Sequence, residues 1–128
     1  MAHPNEDLVR DGFAAFGRGD MEALDELFAD DATWHSGGDN PLTGDFSGKQ
    51  EVFSNFARVR QLSDTFEQEV HDVLANDDHA VALVKVRATR NGKNLEDNQV
   101  IVFHIEDRKV TSAWLHSYDY RQADEFWN

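Results

Sequence analysis

Three side chains of this 128-residue chain are placed to move protons: His35, His104 and Asp119. A histidine titrates near pH 6.5 (about one unit either way), which suits it to general acid–base work at neutral pH. His35 follows Trp34 in a short aromatic run, at the expected wall of a pocket. As an alternative, it bonds a loop carbonyl and orders Gly37-Gly38. His104 shares a strand face with Val100 and Val102, so if Val100 turns to a pocket the other two follow. Its alternative is a satisfied core histidine. Asp119 falls near the end of the last apolar run. It alternates with His116, so one of the two faces inward unless a bulge intervenes. Otherwise Asp119 caps the C-terminal segment or pairs with Arg121. Around these groups Trp34, Phe16, Phe53 and Phe56 are candidates for a pocket wall that prefers an apolar ligand.

Other chemistries find no support. Cysteine is absent, which removes disulfides, thiolate zinc sites and cysteine nucleophiles. His71 and His79 lie near Asp72, Asp77 and Asp78, but turn histidines beside aspartates are ordinarily solvated, and no metal site is expected. Gly37-Gly38 lacks a phosphate-binding lysine, and no GxSxG elbow occurs. No cofactor is expected. Acids outnumber bases 25 to 12, a formal net charge of -13. That balance argues against nucleic acid and anionic membranes, which need clustered Lys and Arg. No apolar run approaches the ~20 residues of a membrane span. No basic-then-apolar leader opens the chain, so a cytoplasmic protein is expected.

The elements that must position these residues follow from periodicity. Leu8, Val9, Phe13 and Phe16 form one helical stripe, capped by Asn5 and ended by Gly17 and Gly19. Asp20 caps a second helix carrying Met21, Leu24, Leu27 and Phe28, which Asp30-Asp31 breaks. Ala32 to Ser36 reads as a short strand, and Ser36 to Gly48 as a loop. Ser47 and Gln50 predict a capping box for a third helix that buries Val52, Phe53, Phe56 and Val59. After about Ser63 the period becomes 2. Phe66, Gln68, Val70, Asp72 and Leu74 share one face of a strand. His79 to Thr89, Leu95 to Ile105 and Val110 to Tyr120 follow, with Asn91-Gly92 a hairpin turn. Three helices and then antiparallel strands within one domain, residues 1–128, predict an α+β fold with the sheet curled over the helices.

This order resembles the nuclear transport factor 2-like superfamily, in particular its SnoaL-like and ketosteroid-isomerase-like members. The resemblance rests on Gly19-Asp20, LFADDATW, NPLTGDFSGKQEVFSNF and HIEDRKVTSAWLHSYDYRQADEFW. It implies a cone-shaped α+β barrel: three N-terminal helices packed in a curved, mainly antiparallel sheet around a pocket. It also implies a homodimer through the outer sheet face. Independently, Val81, Leu83, Val84 and Val86 leave both sheet faces partly apolar, so a monomer would expose one.

The resemblance tests the chemistry as well. The isomerase tyrosine falls on Gly12, its aspartate base on Ser36 and its second aspartate near Val100. None of the three groups is present, so a steroid isomerase is not expected. SnoaL-like cyclases use a pocket carboxylate or histidine, and family geometry turns Asp119 inward with Trp114 and His116 on the dimer side. The expectation is a cofactor-free acid–base enzyme (isomerase, cyclase, dehydratase or hydrolase) acting through His35, Asp119 and His104. Its ligand, a small apolar organic molecule, would contact Trp34, Phe16, Phe53, Phe56, Val100, Val102 and Leu115. The competing expectation is a non-catalytic binding or accessory protein.

Overall fold

A computed structural model describes residues 2–128. The chain runs α1 (Pro4–Arg18), α2 (Met21–Leu27), β1 (Phe28–Ser36), β2 (Gly44–Ser47) and α3 (Lys49–Leu62). It continues with β3 (Thr65–Ala75), β4 (His79–Arg90), β5 (Lys93–Glu106), β6 (Lys109–Ser117) and α4 (Tyr120–Trp127). One six-stranded sheet has the order β2-β1-β6-β5-β4-β3. β1 and β6 pair in parallel and every other pair is antiparallel. The sheet curves around the three N-terminal helices, the α+β arrangement expected from the order of elements.

Alternation along the strands sorts residues between the two sheet faces. Leu95, Ile101, Phe103 and Ile105 of β5 are buried on the concave face with Ala82, Val84 and Val86 of β4. Leu8 and Val9 of α1 and Val52 of α3 close the core from the helix side. The β4–β5 and β5–β6 hairpins turn through left-handed residues. Asn91 and Gly92 have φ of 51° and 79°, and Asp107 and Arg108 have 50° and 63°. Such φ values at both central positions match the right-handed twist of paired strands.

Several expected boundaries are corrected. His3, not Asn5, caps α1: its ring nitrogen accepts from the Asn5 N–H at 3.0 Å, and Pro4 takes the first helical position. Asn5 is buried instead and donates to the carbonyls of Asn76 and Asp77 at 2.9 and 3.0 Å. Asp30-Asp31 does not separate α2 from a later strand, because β1 begins at Phe28 and runs through both aspartates. The loop after β1 contains β2, whose Phe46 and Asp45 pair with Trp34 and His35. Ser47 belongs to that strand, and Gly48 caps α3 with no side-chain hydrogen bond, so the capping box does not form. A register shift between Val70 and Asp72 reverses the alternation of β3. Val73 is therefore buried and Leu74 exposed. Finally, the last strand stops at Ser117, short of the expected Tyr120, which instead opens α4.

Candidate functional site

Between the helices and the concave sheet face lies a cavity of about 130 Å³. Its wall is mainly aromatic. Phe16 meets Phe56 edge-on at 5.6 Å, Phe56 meets Trp34 at 4.9 Å, and Phe103 lies 6.2 Å from both Trp34 and Phe13. Edge-to-face contacts of this kind fix ring orientation beyond simple burial. Trp34 is held further by its indole N–H, which donates to Ser36 Oγ at 3.1 Å.

α4 completes the enclosure. Tyr120, Ala123 and Trp127 line the cavity, as does the exposed Gly37. The helix is fastened beside that glycine. Asp124 Oδ1 accepts from the Asp39 N–H and from Asn40 Nδ2, both at 2.8 Å. Asn128 Nδ2 donates to the Asp39 carbonyl at 2.8 Å, and the Tyr120 hydroxyl donates to the Leu115 carbonyl at 3.2 Å. A Cβ on Gly37 would lie 2.7 Å from the Tyr120 hydroxyl oxygen, so the glycine is what permits this close approach.

The polar groups on the wall are uncharged: Ser36, Asn40, Asn55, Gln68, Gln99, Ser117 and the Tyr120 hydroxyl. No Lys, Arg, His, Asp or Glu lines the cavity among the described residues. Behind the wall sits one carboxyl, Asp97 on β5, 4% exposed. Burial pushes its pKa above the usual carboxylate value. The Ser117 and Gln99 side chains and the Asn98 and Tyr118 N–H groups lie near enough to pull it back. None of them makes a well-formed hydrogen bond to either carboxyl oxygen. Asp97 was not among the expected site residues. An inward face holding Val100, Val102 and His104 turns Asp97 outward, and only the observed parity buries it with Leu95 and Ile101.

The expected proton-transfer groups lie elsewhere. His35 alternates with the buried Trp34 and so projects from the opposite face of β1. There its ring stacks on Trp114 at 5.1 Å and its Nδ1 lies 2.7 Å from Asp45 Oδ1. His104 lies on the same outer face, 4.9 Å from Trp114 and 4.4 Å from His79. Asp119 is exposed and caps α4, accepting from the Gln122 N–H at 3.2 Å. The inward placement of all three is thus corrected. For the two histidines the cause is strand parity, and for Asp119 it is the helix that replaces the strand end.

The expected ligand contacts divide in the same way. Trp34, Phe16, Phe56 and Leu115 line the cavity. Phe53 does not reach it and packs on Phe28 and Phe56 at 5.6 and 5.9 Å. Val100 and Val102 point outward, Val100 being 38% exposed, while their neighbours Ile101 and Phe103 line the cavity. Gly12 and Ser36, which align with the isomerase tyrosine and base, both line the cavity. Neither can supply a phenol or a carboxylate.

Comparison with known proteins gives the same architecture. A model of the SnoaL-like domain matches residues 9–113. An uncharacterized protein of Mycobacterium tuberculosis is 32% identical over 123 residues, 94% of each chain. Among solved structures, Bal32a from a soil-derived mobile gene cassette is 36% identical with a TM-score of 0.94, covering 98% of this chain and 97% of its own. TerC, co-crystallized with polyporic acid, is 18% identical with a TM-score of 0.86, covering 97% and 98%. At that identity the likeness to TerC is one of fold.

Proposed function

This chain belongs to the SnoaL-like domain family, and from that premise we propose that residues 1–128 form one such domain whose cavity takes up a small, largely apolar organic molecule. The aromatic wall with uncharged polar groups carries the reading. Such a surface favours a ring system that can fill the space between Trp34, Phe16, Phe56 and Phe103, with a few polar atoms to orient it. TerC, on the same fold, was co-crystallized with polyporic acid, which supports a small-molecule role for this architecture. A thermal-shift screen of terpenoids, polyketides and steroids tests the proposal. At least one ring compound should raise the melting temperature and quench tryptophan fluorescence. A screen in which nothing does either would count against it.

A second reading, acid–base turnover of the bound molecule, is favoured by Asp97. A carboxyl that burial keeps protonated further up the pH scale can donate a hydrogen bond or a proton to a developing oxyanion. Ser117 and Gln99, which lie near its carboxyl, line the cavity. In this reading Asp97 takes the place that His35 and Asp119 were expected to fill. Asp97→Asn should keep ligand binding and abolish conversion of any substrate found by the screen. Unchanged conversion would leave the non-catalytic binder as the better description.

The same proposal includes a homodimer through the convex sheet face. Val81, Val102 and Trp114 form one cross-strand row there, and Leu83, Val100 and His116 the next. Val100 is 38% and Leu74 is 56% exposed, an apolar surface that a second copy would cover.

A further inference from the structure

Among the described residues, one buried polar side chain on the cavity wall has an acceptor without a partner. Asn55 projects from α3 one residue before Phe56, is 3% exposed, and lines the cavity. Its Oδ1 accepts no hydrogen bond. A buried amide acceptor left without a donor is costly, and native proteins rarely carry one without a use. Its neighbour on the helix, Val52, is fully buried, so an apolar side chain would suit this part of α3. The charges near the cavity point the same way. Among the described residues no cation lines it to hold an anion, and the formal net charge of -13 opposes one. Among the same residues no carboxylate lines it to hold a cation.

We propose that Asn55 is the polar anchor of the cavity, and that it selects an uncharged ring bearing a hydroxyl or carbonyl over the same ring bearing a charge. The amide carries two donors and an acceptor, so on a small turn of its side chain toward the ligand a hydroxyl meets Oδ1 or a carbonyl meets the NH₂ group. The ring then lies among Phe16, Trp34 and Phe56. A cavity of about 130 Å³ holds a single aromatic ring. This inference rests on the small-molecule reading above and assigns the chemistry of its ligand.

Four size-matched probes test it by protein NMR titration at pH 7: toluene, p-cresol, 4-methylbenzoate and 4-methylbenzylammonium. In the wild type p-cresol should bind about tenfold more tightly than toluene, the gain of one well-made hydrogen bond. Both ions should bind more weakly than p-cresol. Asn55→Leu should bring p-cresol to the affinity of toluene and leave toluene unweakened. Asn55→Ala should show the same loss of discrimination, so the result does not depend on one variant folding. A merely structural role for Asn55 would weaken toluene and p-cresol together, and that result would overturn the proposal. So would equal binding of the two in the wild type, a difference that survives both variants, or an ion that binds as tightly as p-cresol. In each of those cases the cavity would still bind ligand, and the reading beneath would stand. If none of the four binds, that reading fails and the anchor fails with it.

Discussion

The imidazole of His35 stacks on the indole of Trp114, ring centroids 5.1 Å apart and planes 18° apart, on the sheet face turned away from the cavity. Trp34, the preceding residue, is buried in the cavity wall. Adjacent residues of one strand thus serve different surfaces, and a catalytic role for His35 would need it on the wrong side of β1.

That relationship makes His35→Gln an informative change. It removes the ionizable group and the pairing with Asp45 while leaving Trp34 in place. Affinity for a cavity ligand such as p-cresol should stay within about twofold, well below the tenfold effect of a lost hydrogen bond. A tenfold loss measured by titration would return His35 to the site.

Asp97 should give stability a distinct pH dependence. Its carboxyl is raised in the fold from an ordinary value of 3.8, so the folded state holds a proton that the unfolded chain has released. Its contribution is fully present below the unfolded pKa and is lost as pH rises through the folded pKa. Asp97→Asn, which cannot ionize, should therefore melt progressively higher than wild type as pH increases above about 4. Thermal melts from pH 4 to 8 check this; a difference independent of pH would show that the buried carboxyl does not titrate differently on folding.

Two glycines should respond in opposite directions to alanine. Gly37→Ala places a Cβ 2.7 Å from the Tyr120 hydroxyl oxygen and should displace α4 from the cavity edge. A loss of about 1–3 kcal/mol is expected from such overpacking. Gly17 lies within α1 and an added Cβ meets nothing within 4 Å. Gly17→Ala should gain about 0.5–1 kcal/mol from helix propensity. Denaturant unfolding of both variants measures the contrast, and equal effects would remove the claim that Gly37 is set by the docking of α4.

The proposed dimer turns on the Val100 row. Val100→Asp adds a charge to the convex face, where the wild-type side chain is 38% exposed, and should leave the monomer folded. Size-exclusion chromatography with light scattering should show a dimer for wild type at micromolar concentration and a monomer for the variant. A wild-type monomer would count against the proposed interface.

The residue pattern alone carried the fold a long way. The stripe of Leu8, Val9, Phe13 and Phe16 specifies α1, and Asn91-Gly92 specifies the β4–β5 hairpin, because both signals arise from local backbone geometry. With LFADDATW and its neighbours they also pointed to the SnoaL-like family, which the domain match at residues 9–113 shows. Of the aromatic residues expected on a pocket wall, Trp34, Phe16 and Phe56 line the cavity and Phe53 does not.

Tertiary structure decided the rest. Alternation says that Val100 and Ile101 face opposite ways, but it does not say which way is inward. That choice depends on how β5 registers with β4 and β6, and it moved Val102 and His104 outside while bringing Gln99 and Phe103 to the cavity. The helical turn at Asp119 depends on α4 packing against the Gly37–Asn40 segment, more than 80 residues away in sequence. Asn55 and Asp97 gain their interest only from what surrounds them. A polar side chain in a sequence carries no record of whether it will find a partner, and here the fold buries both without supplying one to Asn55 Oδ1 or to the Asp97 oxygens.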